Sequence, residues 1–113
     1  MLDIEAEKRK AVQLEYPELF DALSSLLFKT DPMSINFETN TDEYEPEVGT
    51  IIPRLKLAQS ETDVQQIVHE EFCRWFTSQA AGSTEKYRGI AAQIWAEWRR
   101  CQSNTLIIET PAD

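Results

Sequence analysis

Two stretches of strict helical spacing flank Gly82, and they leave the chain little choice of fold. Val64, Ile67, Val68, Phe72, Trp75 and Phe76 recur at steps of three and four residues, and so do Tyr87, Ile90, Ala91, Ile94, Trp95 and Trp98. That spacing puts each set on one face of an α-helix. Two such faces joined by a short Gly-containing connection bury each other as an antiparallel hairpin. Ser60 with Asp63 resembles a capping arrangement for the first helix. Ser83 or Thr84 caps the second, whose negative end suits Arg99 and Arg100.

The rest of the chain reads as helices that complete a bundle. Residues 2–15 carry dense alternating charge over a thin apolar stripe (Leu2, Ile4, Ala11, Leu14), which predicts an exposed and loosely docked helix. Pro17 opens a second helix, with Leu19, Phe20, Leu23, Leu26 and Leu27 on its buried face, and Asp31-Pro32 ends it. A third helix is expected near Pro46, facing the core with Val48, Ile51, Ile52 and Leu55. Pro53 predicts a kink there, eased by Gly49, or a restart near residue 52. Between the second and third helices, residues 31–45 form a long loop, ordered by Ile35 and Phe37. The tail 104–113 is flexible or extended, because Thr105–Ile108 is β-prone without a strand partner. The expectation is one all-α domain over 1–113, a compact bundle of four to five helices with one long ordered acidic loop. Three glycines are too few for the turns of an all-β chain of 113 residues.

Charge narrows the function classes. Twenty acids against eleven bases give a net charge of −9. Such a surface repels phosphate backbones and anionic lipid, so neither nucleic acid nor membrane is expected as partner. A basic protein or a cation fits better. No apolar run approaches the ~18 residues of a membrane span, and no basic-then-apolar leader is visible. Cys73 and Cys101, both on predicted helices, read as reduced thiols of a cytoplasmic protein. Oligomeric state is left open.

Four groups could carry chemistry. In the loop, Asn36, Glu38, Asn40, Asp42 and Glu47 fall on ligand positions of a calcium loop, but Thr41 stands where the sharp turn needs Gly. A solvated loop whose Asn and Asp side chains bond their own backbone explains them more simply. His69 and Cys73 share a helix face and could form a nucleophilic pair, or a metal site if Cys101 approached. A boundary histidine beside a buried thiol is the plainer reading. Glu15, Glu18 and Asp21 have the spacing of magnesium-binding helix acids, but Pro17 interrupts them and Asp63, Glu70 and Glu71 offer no matching second pair. Trp98, followed by Arg99 and Arg100, would anchor a protein partner if part of it were exposed. No zinc-finger spacing, phosphate-cradling Gly loop or serine elbow occurs. No cofactor is expected, and the reading leans away from an enzyme.

Asp31-Pro32-Met33-Ser34-Ile35-Asn36-Phe37, Asp42-Glu43-Tyr44-Glu45-Pro46-Glu47-Val48 and Ile51-Ile52-Pro53-Arg54-Leu55 together resemble a group of small bacterial proteins of unknown function. These share an Asp-Pro turn followed, after a polar loop, by Asp-Glu-Tyr and an acidic helix start. Some similar small proteins are immunity partners of bacterial toxins. The resemblance covers about a third of the chain and carries no catalytic residues. The resemblance says little about activity; the −9 charge, the acidic loop and the lack of catalytic motifs point to a non-catalytic binding module, with Asp42, Glu43, Tyr44, Glu45 and Glu47 at the docking surface and Asp31, Tyr44 and Phe37 holding the loop. A metal-binding protein or metal-dependent hydrolase, and a structural subunit of an assembly, are the alternatives.

Overall fold

In a computed structural model, which describes residues 4–35 and 42–109, the chain is all-α. Among the described residues six helices follow one another: α1 (Ile4–Glu15), α2 (Pro17–Thr30), α3 (Glu45–Leu55), α4 (Glu61–Phe76), α5 (Ser78–Ala81) and α6 (Arg88–Glu109). A 3-10 turn at Thr84–Tyr87 leads into α6. This exceeds the four to five expected because α4 stops before the glycine. Thr77 takes φ 104° and ψ 154°, outside the helical region and costly for a β-branched residue. The Thr77 hydroxyl then accepts from the Ala80 N–H at 3.2 Å, which caps the single turn of α5. Gly82 (φ 81°) ends that turn. The glycine break exists, but a break that no glycine marks precedes it.

Other boundaries have local causes. Ser60 Oγ accepts from the Asp63 N–H at 3.2 Å, and the Asp63 carboxylate accepts from the Gln59 N–H at 2.9 Å, so α4 begins with two donors satisfied. Pro17 opens α2, where its missing N–H costs nothing. Asp31 closes α2 in the left-handed region (φ 47°) and returns its N–H to Leu27. Pro53 sits in the last turn of α3, and the helix runs through it without the expected restart near 52.

The core lies where α2, α3, α4 and α6 meet. Leu23, Leu27, Val48, Ile51, Ile52, Leu55, Val64, Val68, Ala91 and Ile94 are all buried there. Burying each larger side chain contributes roughly 1.5–3 kcal/mol. Phe72 is central, with the rings of Tyr87, Phe76 and Tyr44 at 5.2, 5.7 and 6.0 Å.

Helix α1 buries none of its residues. It crosses α3 at Gly49, where an added Cβ would come within 3.0 Å of Arg9 Cγ and 3.3 Å of Arg9 Cα. The observed role of Gly49 is thus close helix approach. At the other end of the chain, α6 continues to Glu109, so 104–109 is helical rather than extended. A lone strand would leave its backbone groups without partners, whereas a continued helix satisfies them internally. Residues 110–113 lie outside the described part. No helix among the described residues is long and apolar enough to cross a membrane.

Candidate functional site

The junction of α2 and α3 is built on Asp31 and Tyr44. Asp31 Oδ1 accepts from the Ile35 N–H at 2.8 Å and from the Tyr44 hydroxyl at 2.7 Å, and the Tyr44 oxygen accepts from the Met33 N–H at 3.0 Å. Burial, reinforced by the Asp31 hydrogen bond, pushes the phenol well above its ordinary range. Asp31 therefore organises its own turn through backbone, as its residue type suggests. Tyr44 is fully buried against Phe72 and does not belong to any docking surface, which corrects its placement among exposed binding residues. Its benzene ring is spent on the core and its hydroxyl on the turn.

The acidic residues around Tyr44 separate into two populations. Asp42 and Glu43 are exposed and Glu45 is half-buried. Glu47 is only 2 % exposed, which removes it from the surface that the sequence assigned it to. Burial raises its carboxyl to about 7, with Glu43 adding to the effect and Arg9 opposing it. Glu45 is raised too, first by burial and then by Asp42 and Asp21, again with Arg9 in opposition. The exposed Asp42, Asp21 and Glu43 thus act on the two less exposed acids, and Arg9 opposes them. Beside them, a shallow pocket of about 350 Å³ opens between α2 and α3, lined by Asp21, Ser24, Phe28, Lys29 and Glu45 among others. Its lining thus carries two carboxylates and an aromatic ring beside one ammonium.

The candidate calcium ligands Asn36, Glu38 and Asn40 lie outside the described residues, as does Phe37. Of the other two, Asp42 is exposed and Glu47 buried. Among the described residues, no three His, Cys, Asp or Glu side chains converge as a metal site would require. Glu15 ends α1 and Glu18 begins in α2, so the three-residue spacing of that acid group does not run along one helix.

His69 and Cys73 do approach, with Sγ 3.5 Å from Nε2. However, Nε2 also lies 2.8 Å from the Gly82 carbonyl, which can only accept, so that nitrogen carries the proton. Nδ1 then accepts from the Thr84 hydroxyl at 3.3 Å. With Nε2 already a donor, the neutral ring cannot take the Cys73 proton as a nucleophilic pair requires. The histidine pins the α4–α6 connection instead. Cys101 packs beside Tyr16 and Glu18, and burial raises its thiol.

Trp98 is 5 % exposed and packs at a tilt against Tyr16, ring centroids 6.0 Å apart, so the exposure needed for a docking anchor is not met. The periodicity that placed it on the buried face of α6 was the stronger signal.

Sequence reasoning missed a second concavity. A groove of about 400 Å³ runs between α1 and α4 with α3 as its floor. Glu71, 4 % exposed, accepts from Arg54 Nη1 at 2.9 Å through Oε2. Arg54 Nη2 also bonds Glu70 at 2.6 Å. The Trp75 indole N–H donates to Thr50 Oγ1 at 3.0 Å, which lays the ring along the groove. Nothing in one-dimensional spacing links α1 to α4, so this site had no sequence signal beyond the individual basic residues. Comparison with models of known families, with characterised proteins and with solved structures finds no match.

Proposed function

We propose that this protein is a small, acidic, non-catalytic binding module whose docking surface is the edge formed by Asp21, Asp42, Glu43 and Glu45, and whose partner is a basic protein. The observation that carries the reading is the gathering of exposed Asp21, Asp42 and Glu43 around the half-buried Glu45. Glu45 is raised by burial and by Asp42 and Asp21, so the surface gains when a partner's cation is brought to it. Tyr44 and Asp31 fix its base, which lowers the ordering cost of docking. In its sharpest form the module is an immunity-type partner that neutralises a basic toxin. Cys73 and Cys101, which form no disulfide, fit a reducing cytoplasm.

The test uses the whole protein as bait in lysate of its own host at low salt, beside a triple reversal, Asp42→Lys, Glu43→Lys and Glu45→Lys. A basic protein held by the natural chain, lost by the reversal and associating more slowly as salt rises supports the reading. Equal capture by both baits, or an association rate indifferent to salt, overturns it.

A further inference from the structure

Beyond the acidic edge, the chain carries a surface of opposite character. The groove between α1 and α4 gathers Lys8, Arg9, Arg54 and Arg74 on its lining against Glu5 and Glu71. Four of the eleven basic residues of a chain with net charge −9 thus face one concavity. They are not equally committed. Arg54 is held by Glu70 and Glu71. Arg74 is 63 % exposed, and its ion pair is a loose 3.7 Å approach to Glu71 Oε1, an oxygen that has no hydrogen-bond partner. Neither Lys8 nor Arg9 forms an ion pair among the described residues. Between these cations the surface is apolar: Val12, Pro46, Pro53 and the face of Trp75.

We infer that this groove binds an acidic peptide segment of a partner protein, its carboxylates on Lys8, Arg9 and Arg74 and an apolar side chain between them on Trp75 and Pro53. Charge complementarity selects the acid, and the apolar floor selects against a bare inorganic anion. The groove is open along its side, so a small molecule would keep much of its hydration, whereas an extended peptide spreads contacts over three helices. The net charge does not forbid this occupant. At physiological ionic strength screening acts over about 8 Å, so a seated peptide responds first to the cations that line its site. The wall formed by α1 has no buried residue and can shift to fit a chain.

The experiment titrates the full protein with a capped peptide alternating Glu and Leu, and separately with its Lys–Leu counterpart. It reads the Trp75 indole N–H and the backbone amides of α1 and α3 by NMR. The expected result is saturable movement of Trp75, Thr50 and α1 amides with the Glu peptide only. Lys8→Glu with Arg74→Glu, both at exposed positions, weakens that binding at least about tenfold. A reversal at Asp42 and Glu43 alone, which spares Glu45 within electrostatic reach of Arg9, leaves it in place, so this result and the acidic-edge result fail separately. No movement of groove signals, equal binding of the Lys peptide, or unchanged affinity in the Lys8/Arg74 variant would each overturn the inference. Arg74→Lys alone, which keeps the charge, retains most of the binding; loss as severe as that of the Glu variant would also count against it.

Discussion

Helices α3 and α4 each bury a glutamate, and the two regions handle it in opposite ways. Glu71, in α4, is met by the Arg54 guanidinium at 2.9 Å. Glu47, in the first turn of α3, has no such partner among the described residues. Burial dominates at its carboxyl, its own backbone N–H and Arg9 oppose only in part, and Glu43 adds a like charge. Burial of a carboxylate is resolved either by pairing or by taking up a proton. The paired site lies between helices that the core holds in place. The unpaired one lies beside the acidic edge, where the surrounding charge is already negative. The difference teaches that charge count along the chain does not locate exposed charge, since two of the acids nearest the core are among the most buried residues.

The contrast can be broken most strongly at Arg54. Arg54→Ala leaves Glu71 buried without its guanidinium, and chemical denaturation should show a loss of about 3 kcal/mol. That is the low end for a broken buried pair, because Arg54 is itself 35 % exposed and partly screened. A loss below about 0.5 kcal/mol would mean that Glu71 is not held by this pair.

Glu47 should make stability depend on pH. Its folded value, about 7, lies above its ordinary 4.5. Below the ordinary value folded and unfolded chains both hold the proton, and the group's contribution is fully present. As pH rises through about 7 the folded chain must release the proton inside the protein, and that contribution is lost. Between about pH 5 and about pH 8 the natural chain should therefore lose on the order of 2–3 kcal/mol from this group. Glu47→Gln should flatten that part of the profile relative to the natural chain. An identical pH profile in the two proteins would show that Glu47 does not titrate as a buried carboxyl.

Tyr44→Phe sharpens the comparison where the buried and exposed acids divide. It keeps the packing on Phe72 and removes the hydroxyl that links Asp31 and Met33. A loss of about 1–2 kcal/mol is expected, with faster amide exchange at Met33 and Ile35 as the local signature. Unchanged exchange there would separate the phenol from the turn. The smallest effect should come from Ser60→Ala, about 1 kcal/mol, since it removes one cap from a helix that the core otherwise holds. A cost as large as that of Arg54→Ala would mean that α4 depends on its cap more than on its packing.

Much of the architecture was legible from residue order. The stripes Leu19–Leu27, Val64–Phe76 and Tyr87–Trp98 have helical period; most of their residues lie in the core, while Leu26, Trp75, Phe76 and Trp95 are only partly buried. Ser60 with Asp63 announced the start of α4, and Asp31-Pro32 the end of α2. The charged, thin stripe of residues 2–15 foretold a helix with nothing buried. The extra break at Thr77 was not legible, because its strain is set by how α4 meets α5 and not by a turn-forming residue. The candidate site was less legible still. Spacing marked Asp42, Glu43, Tyr44, Glu45 and Glu47 as one acidic patch, while their burial divides them between core and surface.

The sequence by itself determined an all-α fold, its four main core-facing stripes and an excess of negative charge, because periodicity and composition act within single helices. Only the tertiary structure decided which acids are exposed, why Gly49 must lack a side chain, and that Lys8, Arg9, Arg54 and Arg74 share a groove. Those properties depend on how close one helix lies to another, and that distance is set by packing among residues far apart in the chain.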